Sequence, residues 1–357
     1  MNTPYGNAIT TAEHAIALML ACARQLSEAS VSTKAGKWEK SRFMGVEVTG
    51  KTLGIIGCGT IGSIVADRAR GLRMKVLAYD PFLSVERAKE LGVESVDLDT
   101  LLRRADFISL HTPLTDQTRN ILNAEAFGKT KKGVYIINCA RGGLVVETDL
   151  LAALNSGHVA GAALDVFEVE PAKSNPLFEH ENVTATPHLG ASTSEAQENV
   201  AIQIAEQISD FLLNGAVTNA VNMPSLSAEQ AVILAPYMKL AGQLGLFAGQ
   251  LTEGGITAVE VDYEGAVAEL NTQALTAMAV CGLLTPLLSD VNLVSAPAVA
   301  KQRGIRVSEV KGPQQGAYHT YMRLTVTSEK QKRSVAGTLF SDQKPRLIQV
   351  KGIDLEA

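Results

Sequence analysis

An apolar run that breaks directly into glycines constrains this chain more than any other feature. Leu53-Gly-Ile-Ile56 predicts a short buried strand, and Gly57, Gly59 and Gly62 follow it in the pattern G-x-G-x-x-G. Glycines cluster by chance in many loops, so the spacing alone says little. The surroundings say more. Residues from about Ile61 to Leu72 predict an amphipathic helix, and Lys75 to Tyr79 a second strand closed by Asp80. Each part has a physical task in holding a dinucleotide: Gly57 permits the tight turn, Gly59 lets the backbone approach a pyrophosphate, and Gly62 lets helix and strand pack closely. The helix N-terminus offers free N–H groups and the positive end of its dipole to phosphates. Asp80 lies 18 residues after Gly62, where a carboxylate accepts hydrogen bonds from the adenosine ribose and repels a 2′-phosphate. NAD is therefore expected rather than NADP. An ordinary glycine-rich strand–helix turn competes with this reading, but strand, helix, second strand and terminal acid together favour a cofactor site.

The chain is long enough for two or three domains, and 46% hydrophobic with 19% charged residues describes a globular protein with an ample core. A formal net charge of −5 argues against a nucleic-acid surface, which is usually basic. No uninterrupted apolar run reaches the roughly 18 residues that suggest a membrane span. The N-terminus lacks the basic segment and apolar core of a signal peptide. Cys22, Cys58, Cys139 and Cys281 have no metal-ligand spacing, so free thiols in a reducing cytoplasm and no bound metal are expected.

A first helix is expected from Thr10, with Thr10-x-x-Glu13 as a capping box, to about Glu28. Its apolar face is read as Ile16, Met19, Leu20 and Ala23. A basic linker, Lys34 to Arg42, carries the only tryptophan, Trp38. After the glycine turn, Phe107–Leu110, Val134–Asn138, Ala160–Leu164 and Val183–Thr186 predict strands separated by helices. That rhythm predicts an α/β fold: a Rossmann-type, doubly wound parallel sheet. A helix from Ser194 to Leu213 follows, with Asn214-Gly215 as its C-cap. Composition changes near Val221 to Ser227. Ala258–Glu264 and Tyr321–Thr327 then alternate as half-buried antiparallel strands around a helix from Asn271 to Leu288. The expected organisation is a dinucleotide-binding domain over 1–190, a helix and linker over 191–225, and a separate, smaller α+β domain over 226–357.

Three polar residues stand just past predicted strand ends, where open α/β sheets build their sites: Arg141, Glu170 and His188. Singly, each has an ordinary structural role available, as an ion-pair partner, a helix-cap acid or a loop histidine. Together on one cofactor sheet they suit transfer of a hydride on a 2-hydroxy acid. Arginine holds a carboxylate with a planar two-donor fork, and histidine accepts the hydroxyl proton near neutrality. A carboxylate beside the imidazole fixes its orientation and stabilises the imidazolium.

Asn138-Cys-Ala-Arg141-Gly-Gly, Ala163-Leu-Asp165-Val-Phe-Glu-Val-Glu170-Pro and Pro187-His188-Leu-Gly-Ala-Ser-Thr resemble the signatures of the D-isomer-specific 2-hydroxyacid dehydrogenases. The resemblance is closest to long members acting on 3-phospho-D-glycerate at the entry to serine synthesis. It extends into the last domain through Val291-Asn-Leu-Val-Ser-Ala-Pro297, Arg303-Gly-Ile-Arg306 and Ser334-Val-Ala-Gly-Thr338. It implies oxidation of 3-phospho-D-glycerate to 3-phosphohydroxypyruvate. Arg141 would hold the substrate, His188 would be the general acid/base and Glu170 its partner. Thr60, Ile61, Asp80, Thr112, Cys139, Ala140, Arg141, Asp165, His188, Leu189, Gly190 and Ala191 would line the NAD site with the glycines. His111 is the rival base, and the resemblance gives it a structural role. Cys139 is read as a small buried residue rather than a nucleophile. Lys40 and Arg42 beside Trp38 are candidates for a substrate-phosphate site, with a solvated linker as the alternative. Lys301, Arg303, Arg306, Lys311 and Arg346 are candidates for an anion site, with a solvated charged face as the alternative.

The family's pattern also implies roughly a hundred preceding residues of substrate domain and, in many long members, a C-terminal sensing domain. Neither is in this sequence, so NADH binding with little or no turnover is expected. A homodimer or homotetramer is expected as well. Two other readings stay open: a glyoxylate- or hydroxypyruvate-type dehydrogenase, and a non-enzymatic NAD-sensing binding protein of the same fold.

Overall fold

The computed structural model describes residues 1–222, 225–288, 291–314, 316 and 318–355. Met223 and Pro224, inside the expected domain boundary, lie outside them. The chain divides into two compact units, Pro4–Ile202 and Gln203–Ala357 with Met1–Thr3. The division falls between Ile202 and Gln203, inside the span over 191–225 that was expected as a helix and linker.

The first unit runs α1 (Ala8–Ala23), α2 (Leu26–Lys34), β1 (Thr52–Ile56), α3 (Thr60–Gly71), β2 (Lys75–Tyr79), α4 (Val85–Leu91), β3 (Glu94–Ser95), α5 (Leu98–Arg104), β4 (Phe107–Leu110), α6 (Ala124–Lys129), β5 (Val134–Asn138), α7 (Glu147–Asn155), β6 (Val159–Leu164), β7 (Val183–Ala185) and the start of α8 (Ser194–Asn214). The strands form one sheet in the order β3-β2-β1-β4-β5-β6-β7, and every pair is parallel. This is the expected doubly wound sheet, with the strand order reversing between β1 and β4. Its strands are apolar runs because both faces are covered. One core layer packs Leu101, Leu102, Phe127 and Leu150 on one face. The other packs α1 and α3 through Ala12, Ala15, Met19, Val65 and Ala69.

The first helix departs from expectation. It stops at Ala23, and Gln25 takes a left-handed conformation at φ 52° before α2 begins. Asn7, not Thr10, is its N-cap, and no side chain caps it. Thr10 and Thr11 turn instead to the loop before α8, where Thr11 Oγ1 donates to the Gly190 carbonyl at 2.8 Å. The buried face is Ala8, Thr11, Ala12, Ala15, Leu18, Met19, Cys22 and Ala23, which includes Met19 and Ala23 of the expected stripe and leaves Ile16 and Leu20 only partly buried at its edge.

The second unit holds the rest of α8 and continues through α9 (Ala228–Leu251), β8 (Ile256–Gly265), α10 (Thr272–Leu284), α11 (Ala296–Gln302), β9 (Arg306–Gly312), β10 (Thr320–Ser328), β11 (Lys332–Leu339), β12 (Pro345–Val350) and β13 (Ile353–Asp354). Its sheet has the order β13-β12-β11-β10-β8-β9. It is antiparallel except that β8 and β9 run parallel. Val259, Val261 and Tyr263 point inward from β8, with Leu324 and Val326 from β10, against α9 and α10. The α10 helix ends at Leu284, one turn short of the expected Leu288. The 24-residue α9 is long and apolar enough to cross a bilayer by length and composition. Here Leu234, Leu240, Leu244 and Ala248 pack one side of it into the second core. A Cβ on Gly245 would meet the Ala279 carbonyl of α10 at 2.1 Å, so glycine permits this close crossing.

Candidate active site

The glycine turn opens at the carboxyl end of β1. Gly57 has φ 91°, and a Cβ there would press on the His111 carbonyl carbon at 2.8 Å, so the turn requires glycine. A Cβ on Gly62 would stand 2.1 Å from the Gly57 carbonyl oxygen, which sets how closely α3 approaches β1. Around Gly59 there is open space. Gly59 is the N-cap of α3 and no side chain caps the helix. The first-turn N–H groups, including those of Thr60 and Ile61, remain for an anionic ligand. Asp80 closes β2 and accepts from Cys58 N and Phe82 N, both at 2.8 Å. The carboxylate is thereby fixed beside the turn. An open cradle of glycines, an uncapped helix end and an anchored acid fit a dinucleotide.

Thr112 follows β4 next to that turn. Its neighbour His111 receives or donates a 2.8 Å bond between Nε2 and Ser109 Oγ. The residue keeps some exposed surface, yet its Nδ1 is buried without a partner. Burial pushes the His111 pKa from 6.5 down to about 4, so the ring is neutral at pH 7 and a weak base. Between those two values the unfolded chain binds a proton that the folded chain refuses. Stability is fully present above about pH 6.5 and falls as pH drops towards 4, by about 3 kcal/mol in all. Urea unfolding across that window should show His111→Gln losing correspondingly less than the unsubstituted chain.

Past β5, Asn138 shapes the next loop: its Nδ2 donates to the Arg141 carbonyl at 3.0 Å and its Oδ1 accepts from Ala140 N at 3.1 Å. Cys139 is buried, and burial pushes its thiol well above the ordinary range, so it offers no thiolate. The Arg141 side chain is exposed, and its Nη1 donates to the Ala140 carbonyl at 2.6 Å. A Cβ on Gly142 would stand 1.8 Å from the Phe167 carbonyl oxygen, so this loop lies directly against the one after β6. There Glu170 Oε1 accepts from Phe167 N at 3.0 Å, and Oε2 lies 2.7 Å from His188 Nδ1. Burial pushes the Glu170 pKa up, but the His188 hydrogen bond, the Phe167 N–H and the His188 charge outweigh it, and the net shift is downward. Both side chains line a cavity of about 620 Å³ with Phe167, Phe178, Thr186 and Pro187.

His188 sits at φ 56°, a left-handed conformation that costs a non-glycine residue about 1 kcal/mol. Asp165 holds the loop that carries it. That carboxylate is fully buried. Oδ1 accepts from Leu189 N at 2.7 Å and Thr186 Oγ1 at 2.6 Å, and Oδ2 accepts from Gly190 N at 2.8 Å. Asp165, expected at the NAD site, thus organises the loop whose Leu189, Gly190 and Ala191 are expected there with it, and it lines the same cavity as Glu170 and His188; Leu189 is exposed, Gly190 is buried and Ala191 is exposed. His14 Nε2, from α1, approaches Asp165 Oδ1 at 3.3 Å and Thr186 Oγ1 at 3.2 Å. Sequence reasoning missed His14. The one signal was a histidine beside the alanine-rich buried stripe of the first helix.

The other proposed anion sites are less organised. Arg42 pairs with Glu39 and Glu181, at 3.4 and 3.3 Å, and Trp38 is 86% exposed. In the second unit, Lys301 and Arg306 line one cavity. Arg346 lies by a different groove and pairs with Asp342 at 3.6 Å.

A family model for the D-isomer specific 2-hydroxyacid dehydrogenase NAD binding domain matches residues 16–190, and one for the D-3-phosphoglycerate dehydrogenase intervening domain matches residues 233–351. The D-3-phosphoglycerate dehydrogenase of Bacillus subtilis is 43% identical over all of this chain and 68% of its own length. The chain belongs to the D-3-phosphoglycerate dehydrogenase family. That of Synechocystis is 47% identical over 98% of this chain and 64% of its own length. The chain thus spans about two thirds of these curated relatives. Among solved structures, a glyoxylate reductase from Paecilomyes thermophila is similar with TM-score 0.58 and 35% identity, over 61% of this chain and 66% of that one. A D-lactate dehydrogenase from Aquifex aeolicus, complexed with NAD and lactic acid, gives TM-score 0.55 and 32% identity, over 59% of this chain and 68% of that one. The first unit of this chain therefore carries the NAD-binding domain of an NAD-dependent dehydrogenase family.

Proposed function

We propose that this chain carries the NAD site and the proton-transfer pair of an enzyme that oxidises 3-phospho-D-glycerate to 3-phosphohydroxypyruvate. The observation that carries this reading is the 2.7 Å pairing of His188 Nδ1 with Glu170 on the cofactor sheet. With Nδ1–H donated to Glu170, Nε2 is left free to accept the substrate hydroxyl proton, and the carboxylate stabilises the imidazolium that results. Arg141 offers its planar fork to the substrate carboxylate. Gly57, Gly59, Gly62, Thr60, Ile61 and Asp80 hold the dinucleotide, with Thr112, Cys139, Ala140 and the His188–Ala191 loop walling its reactive end. When bound, the nicotinamide supplies the acceptor of two electrons. The intervening-domain match favours a phosphorylated substrate over the glyoxylate- and lactate-type reactions. The reading includes a homo-oligomer and a cytoplasmic location, which four free thiols suit.

The test is loss of NADH absorbance on mixing with phosphohydroxypyruvate, with protein in excess so that slow chemistry is visible. Phosphohydroxypyruvate should be reduced in preference to glyoxylate or pyruvate. NADH binding with no reduction of any 2-keto acid, in the same assay on a full-length parent protein, would overturn the enzyme reading in favour of a dinucleotide-sensing protein. Cofactor choice can be read on its own. Asp80→Ala should narrow the preference for NADH over NADPH by at least about tenfold, the factor that 1.4 kcal/mol of relieved repulsion gives. Fluorescence titration with both nucleotides checks this.

A further inference from the structure

We infer that His14 is a positioning residue for His188, acting from α1 through the buried Asp165; the inference rests on the reading of His188 as the proton-transfer group. Asp165 is completely buried, and a carboxylate there must be surrounded by donors or neutralised. The loop supplies three donors, Thr186 Oγ1, Leu189 N and Gly190 N. Among the described residues, His14 is the only basic side chain within ion-pair distance, its Nε2 3.3 Å from Oδ1. The same nitrogen lies 3.2 Å from Thr186 Oγ1, on the far side of a sequence separation of 172 residues. So one ring nitrogen bonds the Thr186 hydroxyl that donates to the carboxylate, and stands at ion-pair distance from the carboxylate itself.

Two further contacts place α1 on this loop. Thr11 Oγ1 donates to the Gly190 carbonyl at 2.8 Å, and Thr10 Oγ1 lies 3.2 Å from Thr193 Oγ1. Thr10, Thr11 and His14 therefore clamp the loop on both sides of His188. The clamp matters because His188 occupies a strained left-handed conformation, which persists only where its surroundings over-determine it. Its N–H donates to the carbonyls of Asp165 and Thr186, at 2.9 and 3.0 Å, so the backbone of the proton-transfer residue hangs on the same two residues that His14 holds. Neither His14 nor Asp165 needs to touch substrate for this. Their joint effect is to fix where the His188 ring meets Glu170.

The experiment compares His14→Leu, which removes the donor, with His14→Gln, whose amide still donates. With ¹⁵N-labelled histidine, the hydrogen-bonded Nδ1–H of His188 is assigned by its loss in His188→Ala. It should broaden or vanish in His14→Leu and persist in His14→Gln. An unchanged signal in His14→Leu would overturn the inference. Should that variant not fold, His14→Asn, too short to reach Asp165, takes its place with the same two outcomes. In the reductase assay His14→Leu should lower the rate constant by at least about tenfold, leaving the NADH KM within about twofold. His14→Gln should restore the rate; equal loss in both variants would count against positioning. Absence of reduction by the full-length parent protein would count against the dehydrogenase reading alone, since the nuclear resonance comparison reads the His188–Glu170 geometry without turnover.

Discussion

Replacing His188 by alanine is expected to lower the rate of phosphohydroxypyruvate reduction by about three orders of magnitude, within the range that a positioned acid/base supplies. NADH affinity should change far less. The ring is 2.7 Å from Glu170 and borders the cavity beside the sheet, whereas the glycine turn and Asp80, proposed to hold the dinucleotide, lie at β1 and β2. A rate unaffected by the substitution would remove His188 from the proton-transfer role. His111 would not inherit that role readily: a base with a pKa of about 4 gains little driving force from a hydroxyl proton at pH 7. Measuring the rate with protein in excess, and NADH binding separately, keeps the two effects apart. Glu170→Gln should show a smaller loss. An amide oxygen can still accept from Nδ1, but it carries no charge to stabilise an imidazolium.

How far the sequence reveals such a site depends on the distance over which each feature is determined. Lys75–Tyr79, Phe107–Leu110 and Val134–Asn138 were legible to the residue, because a strand buried on both faces is a continuous apolar run with polar ends. The break in the first helix was not, since a left-handed Gln25 carries none of glycine's signal. Nor was α9, whose apolar residues and glycines run round the helix and give no amphipathic period. The edge strand β9 is exposed along almost its whole length and shows no alternation of buried and exposed residues. The polar residues of the site were legible as types at strand ends. The Glu170–His188 pairing was legible too, from the family resemblance; the coupling of Asp165 to His14 was not, because only folding brings α1 to the loop that Asp165 anchors.

The glycine turn permits the sharpest separation of fold from ligand. Gly62→Val should both destabilise the first unit and abolish measurable NADH binding. Even its Cβ would stand 2.1 Å from the Gly57 carbonyl oxygen and 3.3 Å from Ile55 Cγ2. Backbone cannot yield as a flexible side chain does, so α3 must tilt away from β1, at a cost of at least about 3 kcal/mol. Tilting the helix also withdraws its N-terminal N–H groups from the pyrophosphate. Gly59→Ala is the control with the opposite profile. Gly59 has φ −72° and no atom within 4 Å of a built Cβ, so the folded protein should accept alanine with little change in stability. The space is open on the side where a pyrophosphate must approach, so NADH affinity should still fall by at least about tenfold, the equivalent of 1.4 kcal/mol of lost contact. Thermal unfolding and fluorescence titration of the two variants decide the matter. If Gly59→Ala bound NADH as tightly as the unsubstituted chain, the open space at Gly59 would not be where the phosphates sit, whatever the behaviour of Gly62→Val.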